Sequence, residues 1–309
     1  MSARYRAIGA LCVAVGAMLF ACKGLLAKFA YARGVQFETL VTLRAVLSLP
    51  LFWAFTLSRE SPAVLRATRP GALVAAAVAG FLCYYVGALV DFYALTMIDA
   101  SVERTLLFSY PAMVVALSSI LTRTRPSGAV VGATCLTYVG IFFAVGGFHT
   151  DVVRQNLVGA GFVLTAALSY AIYFMVGERY TREIGSGRFT LIAMSAATVA
   201  LLMHFSVAGH WRYIVHIDAT SWSLLVLLAV LCMFVPALLQ AEGVRRIGAQ
   251  RGAVLSTVGP PTAVVFAWLL LGERMTWMQL AGVALIVSGI LALDLERNLR
   301  AARAIVSET

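Results

Sequence analysis

The residues of this sequence best placed to do chemistry are charged side chains embedded in long apolar stretches. Lys23, Lys28, Arg44, Asp91, Glu103 and Arg104 form one set, and Glu178, Glu242, Arg245, Arg246 and Arg251 form a second set in the other half of the chain. A charge in an apolar surround costs several kcal/mol unless it is paired or wetted, so such residues mark binding sites and polar paths. Arginine grips a carboxylate or phosphate through two N–H groups at once, whereas lysine acts as a point charge. Between the two sets come Tyr84, Tyr85, Tyr110, Tyr170, Tyr173, Met233, Phe234, Ser256 and Thr257. Apolar rings with hydroxyl tips suit a small amphipathic molecule. Packing between helices is the competing reading for each of them.

Other chemistries lack their residues. The sequence has no HExxH, no phosphate-binding GxxxxGK, no GxSxG and no His pair at ligand spacing. Cys12, Cys22, Cys83, Cys135 and Cys232 fall in apolar runs without a CxxC spacing and read as small core residues. His149, His204, His210 and His216 sit at or near span ends. No metal site, cofactor or catalytic residue is expected, and the chain reads as something other than an enzyme.

The elements that must position these residues follow from composition. Of 309 residues 61% are hydrophobic and 12% charged, with a mean hydropathy of +0.90. A soluble domain carries about 25% charge, and no soluble globule has an interior large enough for so much apolar side chain. Stretches of roughly 20 apolar residues, the length that crosses a bilayer, occur at 7–30, 37–58, 71–96, 101–121, 128–147, 157–178, 189–208, 221–244, 251–271 and 277–294. The expectation is an all-α integral membrane protein of ten transmembrane helices, with the first stretch a span in its own right and not a cleaved signal.

The net charge of +10 reads as topology before it reads as nucleic-acid binding, because cytoplasmic loops collect Lys and Arg. With the N-terminus inside, 16 of the 24 cations fall in inner loops and tails and 5 in outer loops. Both termini are therefore expected in the cytoplasm, in a bacterial inner membrane, with 295–309 as a cytoplasmic tail. The remaining three cations, Lys23, Lys28 and Arg44, lie within spans and topology does not account for them.

The halves repeat. At an offset of 150, Gly9-Ala10 meets Gly159-Ala160, Ala17 meets Ala167, and Phe20-Ala21 meets Tyr170-Ala171; at 149, Ala94-Leu95-x-x-Ile98-x-Ala100 meets Gly243-Val244-x-x-Ile247-x-Ala249. Five spans per copy is an odd number, so the second copy is inverted, the architecture of secondary transporters with a midplane site between repeats. With the turn into the fourth span, Pro111, Pro260-Pro261, Gly272-Glu273-Arg274 and the Gly282–Gly289 stretch, the sequence resembles a ten-helix member of the drug/metabolite transporter superfamily, with EamA-type repeats at 7–147 and 157–294. The resemblance implies alternating-access movement of a small metabolite, an amino acid or similar compound, most simply as export. The first copy departs from the pattern, with Thr122-Arg123-Thr124 where the family often has Gly-Glu. The first-helix glutamate of small multidrug members has no counterpart here.

The charged sets then read as gates, with Lys28, Asp91, Glu103 and Arg104 at the outer mouth and Glu178, Glu242 and Arg251 at the inner one. For the inner set ordinary anchoring at helix ends competes with gating. Lys23 and Arg44 read as binding residues for an anionic group, and Tyr84, Tyr85, Tyr110, Tyr170, Tyr173, Phe234, Ser256 and Thr257 as the lining. The expected partners are a small-molecule substrate and the lipid bilayer, with no nucleic acid. A phosphorylated or lipid-linked substrate, a membrane enzyme or assembly subunit, and a homodimer remain open at this point.

Overall fold

In a membrane helix both faces are apolar, so residue size, not polarity, decides which face turns inward. The first helix obeys this rule. Val13, Ala17 and Ala21 are buried while Leu11, Val15 and Met18 point outward. The computed structural model describes residues 3–59, 69–123, 128–247, 255–256 and 258–307, and every regular element among them is helical. The helices are α1 (Ala3–Ala32), α2 (Phe37–Leu57), α3 (Pro70–Ala94), α4 (Ala100–Leu107 then Tyr110–Thr122), α5 (Gly128–Val145), α6 (Thr150–Ile184), α7 (Ser186–Val207), α8 (219–247), α9 (Gly259–Leu271) and α10 (Trp277–Ser307). An apolar helix thus falls within each of the ten expected spans, covering 259–271 of the ninth, whose first residues lie largely outside the described ones. Seven are long and apolar enough to cross a membrane, and Val131–Val145, Gly259–Leu271 and Trp277–Ala292 are shorter apolar stretches.

Two kinds of interruption matter for the site. α4 breaks at Phe108–Ser109, because Pro111 offers no N–H and its ring crowds the carbonyl one turn back. α3 and α8 widen into π-helix at Phe81–Gly87 and Val230–Phe234. These segments begin 149 residues apart and share Leu-Cys at Leu82-Cys83 and Leu231-Cys232, so the π-turn belongs to the repeat. A third π-turn, Ala267–Leu271, ends α9.

The halves interlock. α1 packs on α8 and α9, α6 on α3 and α4, α2 on α7, and α5 on α10. One contact appears in both copies. A Cβ on Gly9 would lie 2.7 Å from Ile247, and one on Gly159 would lie 2.4 Å from Ile98. Both glycines let a helix of one half touch the other half, as close helix packing in lipid requires. The α5–α10 pair uses the same device at Gly140 and Gly282, each facing the other helix's backbone.

Candidate functional site

Five of the sequence-predicted charges converge on one buried cluster. Lys23 on α1 donates to Asp91 on α3 and to Glu103 Oε1 on α4, the latter at 2.9 Å. Gly24 leaves room for this approach, since a Cβ there would stand 3.3 Å from Glu103 Oε2. Arg44 on α2 and Lys23 both lie over the Phe92 ring, 4.6 and 5.1 Å from its centre. Arg104 stacks on Phe108 at 4.9 Å and reaches toward Gly259 at the start of α9. Asp91 and Glu103 are fully buried, and Lys23, Arg44 and Arg104 nearly so.

The electrostatics of the cluster are incomplete. Three cations face two carboxylates, and Arg44 Nε, Arg104 Nε, Asp91 Oδ1 and Glu103 Oε2 are buried without a hydrogen-bond partner. Leaving a charged donor unsatisfied in an apolar interior costs more than a typical hydrogen bond gains. Cation–π contacts with Phe92 and Phe108 offset part of this cost. Tyr170 on α6 is within electrostatic reach of Arg44, Asp91 and Arg104.

Tyr170 also joins an aromatic layer contributed largely by the other half. Tyr110 stacks on Phe174 at 5.0 Å and lies 6.5 Å from Tyr170. Tyr84 and Tyr173 meet edge-on at 5.1 Å, and Tyr173 touches Phe189 at 5.3 Å. The charged cluster and the aromatic layer therefore adjoin, with Tyr170 at their seam.

The remaining predicted residues lie elsewhere. Tyr85 turns toward α7, where its hydroxyl meets His204 Nδ1 at 3.1 Å beside a groove of about 530 Å³. Phe234 packs on Phe52 and Phe55 of α2. Ser256 is half-buried, whereas Thr257 and Arg251 fall outside the described residues, as does the side chain of Arg245. Glu242 pairs with Arg246 one turn along α8 at 2.7 Å, and Glu178 is exposed on α6. Lys28 stands apart from Asp91, Glu103 and Arg104. It is half-buried beside Asp99, in the turn between α3 and α4.

That turn belongs to one end of the bundle, here the Arg33 end. Arg33 pairs with Asp218 at 3.1 Å between exposed side chains. Asp218 also caps α8 by accepting from the Ser221 N–H, and its bonds to Ser221, with a smaller contribution from Arg33, hold its carboxyl below the usual range. Tyr31 donates to the Phe92 carbonyl at 2.8 Å and lines a polar cavity of about 450 Å³ with Gln36, Glu38, Thr96, His210 and Tyr213. Glu273, after α9, accepts three hydrogen bonds from the start of α4: Ala100 N–H at 2.9 Å, Ser101 N–H at 3.1 Å and Ser101 O–H at 2.7 Å. Burial and then Glu273 push the Asp99 carboxyl above its usual range, with Lys28 opposing. Sequence reasoning missed Phe92 and Tyr31 as members of this region. The only signal for Phe92 was its place beside Asp91.

The EamA-like transporter family matches residues 7–146 and again 157–293. An uncharacterized transporter of Bacillus subtilis, YcbK, is 31% identical over 293 residues, covering 93% of this chain and 94% of that protein. The threonine/homoserine exporter RhtA of Salmonella typhimurium is 25% identical over 156 residues, half of each chain. A solved crystal structure aligns with a TM-score of 0.63 at 16% identity, covering 94% of this chain and 98% of that one, and speaks to the fold alone.

Proposed function

Since the chain belongs to the EamA-like transporter family and is a multi-pass membrane transporter, not an enzyme, we propose that it exports a small metabolite carrying an anionic group, an amino acid or similar compound, by alternating access. The observation that carries this reading is the excess positive charge of the buried cluster, with Arg44 Nε and Arg104 Nε both unpartnered. A carboxylate between these guanidiniums balances three cations against three anionic groups and supplies the missing acceptors. The body of the substrate then lies on Tyr110, Tyr170 and Tyr173 across the seam. The name of RhtA, an exporter of threonine and homoserine, supports an amino-acid-like cargo.

The same reading takes 7–147 and 157–294 as the two repeats, places both termini and the 295–309 tail in the cytoplasm of a bacterial cell, and puts the Arg33 end outside. The division of loop cations, 16 inside against 4 outside once Arg104 is placed in the buried cluster, supports that orientation. Counterflow of labelled amino acids and other small carboxylates in reconstituted vesicles tests the function. Arg44→Ala and Arg104→Ala are each expected to lower uptake of the responding compound by about 100-fold, the loss typical of a charge-assisted grip. Undiminished counterflow in both variants rejects the anion site.

A further inference from the structure

The N-terminus of α4 is capped from the wrong place. Asp99 occupies the N-cap position with extended backbone, where an aspartate ordinarily accepts from the N–H groups of the first turn, yet its side chain makes no such bond. Glu273, 174 residues away from Asp99 in sequence and in the opposite half, accepts from Ala100 N–H, Ser101 N–H and the Ser101 hydroxyl. It projects from the turn that Gly272 makes possible with φ +69°. Asp99 and Glu273 are close neighbours, with Lys28 beside them. The capped turn is the one that carries Glu103 and Arg104 into the cluster.

We propose that Glu273 and Asp99 are exchangeable caps of α4 and that their exchange is the latch of the Arg33 end. With the halves together, Glu273 holds α4 and positions Glu103 and Arg104. When the α9–α10 turn withdraws, Asp99 takes over the Ser101 N–H, which an N-cap side chain reaches. Release therefore strands fewer donors than an uncapped helix start would, easing the penalty that would otherwise hold this end shut. Lys28 neutralises whichever carboxylate is off the helix.

This inference rests on the alternating-access reading but is tested without a substrate. Cys232 is buried within electrostatic reach of Lys23, Arg44 and Arg104, so its thiol reports access to the cluster. The full-length chain in oriented proteoliposomes is treated with a membrane-impermeant methanethiosulfonate on one face at a time, and modification of the Cys232 peptide is followed by mass. Glu273→Ala is expected to speed modification from the Arg33 end about tenfold, the equivalent of one lost cap, with no gain from the opposite face. Ser101→Ala should act in the same direction and less. Asp99→Ala should slow modification, because it removes the replacement cap, whereas Asp99→Asn, which still accepts, should restore the wild-type rate.

The opposite signs are what a static cap does not produce. Unchanged rates in Glu273→Ala, equal gains from both faces, or faster modification in Asp99→Ala would each overturn the latch. Should Glu273→Ala fail to assemble, Ser101→Ala and Asp99→Ala carry the test. Failure here leaves the anion site standing, and undiminished counterflow in Arg44→Ala and Arg104→Ala rejects the anion site while leaving the latch standing, since the two experiments read different residues.

Discussion

The two halves share a backbone plan and differ in chemistry. At the offset of 150, Lys23 and Arg44 correspond to Tyr173 and Met194. At 149, Asp91, Glu103 and Arg104 correspond to Gln240, Gly252 and Ala253. Five charges in one copy thus become neutral residues in the other. Tyr173 packs against Tyr84 and Phe189, and Met194 joins an apolar cluster with Phe52, Leu191 and Met233. The π-turns and the Gly9 and Gly159 contacts persist in both copies. The scaffold is thus repeated, while among the described residues the fully buried ion pairs belong to the first copy. The result is a buried charged cluster on one side and an aromatic layer on the other.

The comparison breaks most visibly at Lys23. Lys23→Met keeps the volume of the side chain but leaves Asp91 and Glu103 buried without their ammonium. Breaking a buried ion pair from one side costs about 3–5 kcal/mol, so thermal unfolding in detergent should shift strongly downward. The triple variant Lys23→Met, Asp91→Asn, Glu103→Gln removes these ion pairs together but leaves Arg44 and Arg104 buried without a carboxylate. It should recover only part of the stability while losing transport. If the single variant is as stable as wild type, the cluster does not hold its charges in the way described.

A smaller effect is expected at Gly80, where α3 meets α7. A Cβ there would stand 2.2 Å from the Ala193 carbonyl oxygen and 2.3 Å from its Cα. The corresponding residue of α8 is Ala229, fully buried and tolerated. Gly80→Ala should therefore force the helices apart at a cost of about 1–3 kcal/mol. Ala229→Gly should cost roughly 1 kcal/mol through helix propensity alone. Equal effects at the two positions would show that the repeats approach their neighbours alike.

Much of this architecture was legible beforehand because a bilayer enforces it. Span length and a constant offset are physical consequences of crossing hydrocarbon twice with the same unit. The convergence of Lys23, Arg44, Asp91, Glu103 and Arg104 was partly legible too, since a charge in an apolar run must find company. Lys28 illustrates the limit. It reads in sequence as one gate with Asp91, Glu103 and Arg104, yet it ends beside Asp99, because five residues along the helix carry it about 7.5 Å nearer the Arg33 end and about 140° round from Lys23. Tyr85 and Tyr84 are adjacent in sequence and diverge to different partners across the π-turn, a local widening that hydropathy does not encode. Glu273 stood out only as part of a short motif. Its hold on α4 depends on which turn of the other half lies opposite, and no spacing within one repeat contains that.

The subtlest difference between the halves lies in the turn that follows α4 and its mate after α9. Gly272 takes φ +69° there, and Arg123, 149 residues earlier, takes φ 52°, the only non-glycine with positive φ among the described residues. For an L-residue this left-handed conformation costs roughly 1–2 kcal/mol, and glycine gives back about 0.5–1 kcal/mol through the freedom it has when unfolded. Arg123→Gly should therefore leave stability unchanged or raise it by up to about 1 kcal/mol, read as a small upward shift in thermal unfolding. The reverse change, Gly272→Arg, should lower it by a similar amount and also disturb Glu273, whose placement depends on that turn. The pair asks whether the left-handed turn or the side chain on it is what the scaffold preserves. If Arg123→Gly is destabilising, the arginine itself holds that end of α4 in place. The two turns would then be alike in shape but opposite in means, with the first half secured by a cation and the second by a carboxylate.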